Sequence, residues 1–100
     1  MLTKTNYLRS PALMKLYRTL PCQHCGMDDG SVCGAHSNQS KHGKGRGIKA
    51  GDQFCASLCH VCHLALDQGR TMTRTERREM WDAAHAKTVA ELQARGVWPL

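Results

Sequence analysis

Two short stretches hold the densest chemistry in this 100-residue chain: "PCQHCG", residues 21–26, and "LCHVCH", residues 58–63. Each contains a C-x-x-C pair, and residues 26–58 separate Cys25 from Cys59. Two such knuckles, distant in sequence, can meet and present four thiolates tetrahedrally to one zinc ion, so Cys22, Cys25, Cys59 and Cys62 are the expected ligands of a structural zinc. The second pair is followed at once by His63, and Asp67 lies four residues further on. On a helix these two side chains share one face. A histidine and a carboxylate so placed can hold a hard divalent ion such as Mg²⁺ or Mn²⁺ and leave positions open for phosphate and water. The plainer reading makes His63 a cap beside the knuckle and Asp67 a solvated helix residue.

The elements that must position these residues follow from local signals. Ser10 and Pro11 have the form of an N-cap followed by proline at the first helical position, which opens a short helix to about Leu20. "SVCGAHS", residues 31–37, reads as a short strand weakened by Gly34, and "QFCASL", residues 53–58, as a second. "CHVCHLALDQ" reads as a helix that stops at Gly69. Thr73 with Glu76 forms a capping-box pattern opening a long helix to about Arg95, with Trp81, Ala84, Thr88 and Leu92 along one face. Cys33 and Cys55 have no partner at ligand spacing and are expected to be buried as small hydrophobes.

Residues 38–52, "NQSKHGKGRGIKAGD", hold four glycines and four Lys or Arg. This is a long loop for so small a domain, and loops of this length tend to be functional or disordered. Lys41, Lys44, Arg46 and Lys49, with His42 among them, are interleaved with glycines, so cationic heads and backbone amides can both approach phosphates. Arg70, Arg74, Arg77 and Arg78 either extend a track along a nucleic-acid backbone or form a solvated helix face. Few aromatics lie near either group, so contacts to phosphate rather than base stacking are expected, with weak sequence preference.

Length and composition set the frame. One hundred residues with one Phe, two Tyr and two Trp make one domain with a thin apolar core. A structural zinc offsets that shortage, contributing on the order of 10 kcal/mol to folding in peptide models. A net charge of +6 points to an acidic partner, and nucleic acid is the commonest. The first twenty residues lack the apolar run of a signal peptide or membrane span, which leads to the expectation of a reducing, cytoplasmic setting. There, six cysteines read as metal ligands and buried thiols rather than as disulfides.

The ordered series "LPCQHCG", "AHS", "GKGRGIKAGD" and "LCHVCHLALD" resembles the HNH, or ββα-metal, nuclease superfamily over residues 20–68. Within it the likeness is to the YbcO-like and recombination-enhancement-type nucleases of phages and prophages. The resemblance implies an α+β fold: a small zinc-stapled ββα-metal core over about residues 20–69, with an N-terminal helix and a C-terminal helix over about residues 73–95. It implies an endonuclease hydrolysing phosphodiester bonds in DNA. His36 would be the general base that activates water, His63 and Asp67 would hold the catalytic Mg²⁺ or Mn²⁺, and Asp52 would brace the site. It also implies a host-cell cytosolic setting and a recombination protein of phage or host as a partner. Many members carry an acidic metal ligand directly before the catalytic histidine, where this chain has Ala35. Fewer protein ligands would remain, unless Asp52, His42 or His60 supplies one. The second function that fits the same residues is a non-catalytic zinc module that binds nucleic acid or protein.

Overall fold

A computed structural model describes residues 8–45, 48–68 and 71–100. The fold is α+β. Helix α1 (Pro11–Tyr17) leads into strand β1 (Cys33–His36), a single 3-10 turn over Ser40–His42, strand β2 (Cys55–Leu58), helix α2 (His60–Gln68) and helix α3 (Arg74–Ala94). The two strands pair antiparallel, with Cys33 opposite Leu58 and His36 opposite Cys55. Among the described residues no helix is long and apolar enough to cross a membrane.

The helix starts are built as their residue types require. The Ser10 hydroxyl accepts the Leu13 amide at 3.2 Å, with Pro11 following it. At α3 the capping box is reciprocal: Thr73 Oγ1 accepts the Glu76 amide, and Glu76 Oε1 accepts the Thr73 amide. The contact with Thr73 holds the Glu76 carboxyl below its ordinary range. Both strands are shorter than the patterns at 31–37 and 53–58 suggest, and α1 ends at Tyr17, three residues before Leu20.

Strand alternation sorts the thin core into two clusters. On one face Ala35, Ala56 and Leu58 pack with Cys62 and Leu66 of α2, with Val32, and with Trp81 and Ala84 of α3. On the other, Cys55 packs with Leu13, Tyr17 and Leu20, and with Leu92 from the far end of α3. One long helix thus closes both sides, and it does so with the stripe Trp81, Ala84, Thr88 and Leu92 that its sequence advertises.

Helix α3 also satisfies the outer edge of β2. Thr88 Oγ1 accepts the Ser57 amide at 3.0 Å while donating to the Ala84 carbonyl at 2.7 Å. His85 Nδ1–H donates to the Cys55 carbonyl at 2.7 Å. The Ser57 carbonyl accepts the Gln23 amide at 2.8 Å. A two-stranded sheet has little stability of its own, and these bonds take the place of a third strand.

The 38–52 segment is tied down at both ends. The Ser37 amide donates to the Phe54 carbonyl at 2.9 Å, and Gln39 Nε2 donates to Asp82 at 2.7 Å. At its far end Arg9 donates to the carbonyls of Lys49 and Ala50 at 3.0 and 2.8 Å, and the Asp52 amide donates to the Leu8 carbonyl at 2.8 Å.

Gly34 lets α1 lie close to the sheet. A Cβ at that position would stand 2.7 Å from Tyr17 Cδ2 and 3.1 Å from Met14 Cε. Tyr17 has little room to yield, because it is fully buried and its hydroxyl donates to the Asp52 carbonyl at 2.6 Å. Gly34→Ala is therefore expected to cost about 1–3 kcal/mol of stability by overpacking. Urea unfolding checks this, and an unchanged midpoint would mean that α1 slides freely on the sheet.

Candidate metal and phosphodiester site

The two knuckles meet. One ligand atom from each of Cys22, Cys25, Cys59 and Cys62 lies within 4.8 Å of all the others, and the Cys25 and Cys59 sulfurs are 3.6 Å apart. Zinc–thiolate bonds of about 2.3 Å in a tetrahedron put neighbouring sulfurs at roughly 3.8 Å, so the four residues form a site that can hold zinc. The first knuckle is shaped by the Gly26 amide donating to the Cys22 carbonyl at 2.9 Å, with Gly26 at φ +82°. The second is shaped by the start of α2, where the His63 amide donates to the Cys59 carbonyl at 2.9 Å.

The thiol acidities follow from the same geometry. Burial alone would raise Cys22, but backbone amides around its sulfur, the Cys25 amide first, outweigh it and bring the thiol down to about 6. Burial, together with hydrogen bonding among the four thiols, pushes Cys62 up. Four thiolates this close repel one another, and a divalent cation removes that penalty.

The other residues singled out from the sequence fall into two pairs. His36 Nε2 lies 2.8 Å from Asp52 Oδ1. Asp52 is 5% exposed and is held from behind: the Ser10 amide donates to its Oδ2 at 2.6 Å, and the Arg9 guanidinium stands 3.8 Å from Oδ1. A carboxylate accepts, so Nε2 carries a proton, and in the neutral ring Nδ1 carries the lone pair. The second pair is on α2: His63 Nε2 lies 3.2 Å from Asp67 Oδ2, with both side chains part-exposed. His63 Nδ1 lies 3.6 Å from Cys33 Sγ. Cys33 is half-buried rather than buried, and its sulfur orients the ring of His63; Cys55 is fully buried as expected.

The two pairs are not joined by a hydrogen bond or ion pair among the described residues. Alternation along β1 explains this. Cys33 and Ala35 face α2, whereas Gly34 faces α1 and His36, two residues on, follows it.

Four rings whose association the sequence does not indicate lie beside this site. His42 stacks on Phe54 at 4.6 Å, Trp81 stacks on His85 at 4.7 Å, and His42 meets Trp81 at 5.3 Å. The Ser37 hydroxyl is hydrogen-bonded to His42 Nδ1 at 2.6 Å, and Trp81 Nε1–H donates to the Ala35 carbonyl at 2.9 Å. Phe54, stacked on His42, and Trp81, lining a cleft with the basic residues, are the aromatic side chains that the fold brings near them. Trp81 and His85 are one turn apart on α3, whereas His42 and Phe54 come from separate segments, so no local pattern announces the cluster. Of the basic residues, Lys41 and Lys49 are exposed and Lys44 lines a cleft described below. Arg46 and Arg70 lie outside the described residues.

Cys59→Ser is expected to lose bound zinc and unfold, as metal analysis and circular dichroism would show; one zinc per chain in that variant would remove Cys59 from the ligand set. A second expectation concerns pH. Burial first, then the positive charges of Lys41 and His85, holds His42 below its ordinary 6.5. The unfolded chain therefore binds this proton more readily, and the fold loses stability as pH falls below that value. Urea midpoints between pH 7 and 5 should fall for the natural chain, and less steeply for His42→Phe.

Comparison with protein-family models, curated proteins and solved structures gives no match to this chain, so the residues and their geometry carry the functional case.

Proposed function

We propose that this chain is a metal-dependent endonuclease that hydrolyses phosphodiester bonds in DNA on a zinc-stapled scaffold. The observation that carries the reading is the His36–Asp52 pair: a part-exposed imidazole backed at 2.8 Å by a buried, fully held carboxylate. Asp52 orients the ring and stabilises the imidazolium that forms when Nδ1 takes a proton. In the proposed step water loses a proton to His36 Nδ1 and its oxygen bonds to phosphorus. The bond from phosphorus to the leaving sugar oxygen breaks, and that oxygen is protonated from solvent.

His63 and Asp67 are the residues that would hold the divalent ion. Their Nε2 and Oδ2 atoms, 3.2 Å apart, are close enough that both would reach one such ion. Such an ion supplies charge stabilisation at the phosphoryl and leaving oxygens. Cys33 bonded to Nδ1 orients the ring so that Nε2 faces Asp67.

One observation favours the second reading, a non-catalytic zinc module that binds nucleic acid or protein. Ala35 puts a buried methyl group on the α2 face of β1, and His36 follows the opposite face from His63. Cleavage decides between the two. With Mg²⁺ or Mn²⁺ the natural chain is expected to nick plasmid DNA. His36→Ala should lower the rate by about 10²–10⁴-fold with zinc content and circular dichroism unchanged. Asp52→Asn should fall in the same direction. Equal cleavage by His36→Ala removes that residue from the mechanism. Failure of the natural chain on duplex, single-stranded and branched DNA alike favours the binding module.

A further inference from the structure

A cleft of about 510 Å³ opens between residues 38–45 and the first turns of α3, floored by Leu66 of α2 and by Trp81. Its volume falls within the range of ligand sites, roughly 300–1,000 Å³. Among the described residues, every charged one that lines it is a cation: Lys44, Arg74, Arg77 and Arg78. None of the four makes an ion pair among the described residues.

The arginines are placed by helix geometry. Positions 74, 77, 78 and 81 recur at spacings of three and four, so the three guanidinium groups stand on one face above Trp81. Arg74 with Arg78, and Arg74 with Arg77, are like-charge neighbours that weaken a helix when nothing neutralises them. Arg77 is aimed by bonds from Nε and Nη2 to the Met72 carbonyl at 3.4 and 3.3 Å. Planar guanidinium forks match the oxygens of a phosphate, and three converging on one cleft form an anion site. Trp81 is only 4% exposed and its Nε1 is bonded to Ala35, so it is a rigid floor and not a stacking platform.

We propose that this cleft binds the phosphodiester backbone of a DNA strand through Lys44, Arg74, Arg77 and Arg78. The choice of DNA as ligand rests on the nuclease reading; the anion site itself rests on the cleft. Bound phosphates neutralise the arginine face, and the closed floor leaves recognition to the backbone, so sequence preference is weak.

The test uses the full chain with no added divalent metal and fluorescein-labelled 20-mers, single-stranded and duplex, titrated by anisotropy across a salt series. The Arg74→Gln/Arg78→Gln double variant is compared with Lys15→Gln/Lys87→Gln, which removes the same charge from exposed positions outside the cleft. Loss of two phosphate contacts should reduce the slope of log affinity against log salt by about 1.4 for single strands or 1.8 for duplex, with at least about a tenfold loss of affinity. The control pair should change the slope by less than half as much. Equal effects from the two pairs would overturn the proposal, because net charge alone would then explain binding. Polyglutamate competing as well as DNA at matched charge would also overturn it, assigning the cleft to an acidic protein. The nuclease reading fails separately: a natural chain that binds through the cleft but cleaves nothing keeps the site and loses the enzyme. A chain that cleaves DNA while the two double variants bind alike does the reverse.

Discussion

The convergence of four cysteine sulfurs is the constraint on which the rest of the molecule depends. It joins residues 22–25 to residues 59–62, and everything between them must leave and return to one point. A hairpin of two four-residue strands with so few aromatics could not hold that closure by apolar burial alone. With the knuckles together, β1 and β2 are in register, and α2 begins on the second knuckle. His63 and Asp67 therefore have a defined place relative to the hairpin before any ligand arrives.

Helix α3 supplies the second half of the architecture. It reaches both core clusters, Trp81 and Ala84 in one and Leu92 in the other, and its middle turn meets the strand edge through His85 and Thr88. The same helix carries the arginines at its start. The charged face and the core face are thus parts of one rigid body, and Trp81 is where they meet. His42, stacked against this helix and against Phe54, ties the glycine-rich segment to it. A loop that composition alone marks as functional or disordered is in this way held by a ring stack at one end and by Arg9 and Leu8 at the other.

Much of this was legible in the sequence because its signals are local. Ser10–Pro11, the Thr73–Glu76 box, each C-x-x-C pair and the 81, 84, 88, 92 stripe lie within a few turns of chain, whereas the meeting of the two cysteine pairs is long-range and only their shared ligand chemistry foretells it. The site was less legible because its partners are distant. Only a resemblance points to Asp52, and nothing local indicates that Arg9, Ser10 and Tyr17 hold it. The association of Cys33 with His63, and the turning of His36 toward the other face, depend on strand register. The ring cluster of 42, 54, 81 and 85 needs three separate segments to be packed before it exists.

The bonding of the β2 edge has a consequence for how this chain can meet other proteins. The carbonyl of Cys55 and both backbone groups of Ser57 are already engaged by His85, Thr88 and Gln23. A foreign strand cannot extend the hairpin from that side, so β-augmentation and edge-to-edge aggregation are closed there. A partner recruited on that side must dock on helix side chains instead, and α3 can serve as a docking surface without the sheet being templated into a larger one.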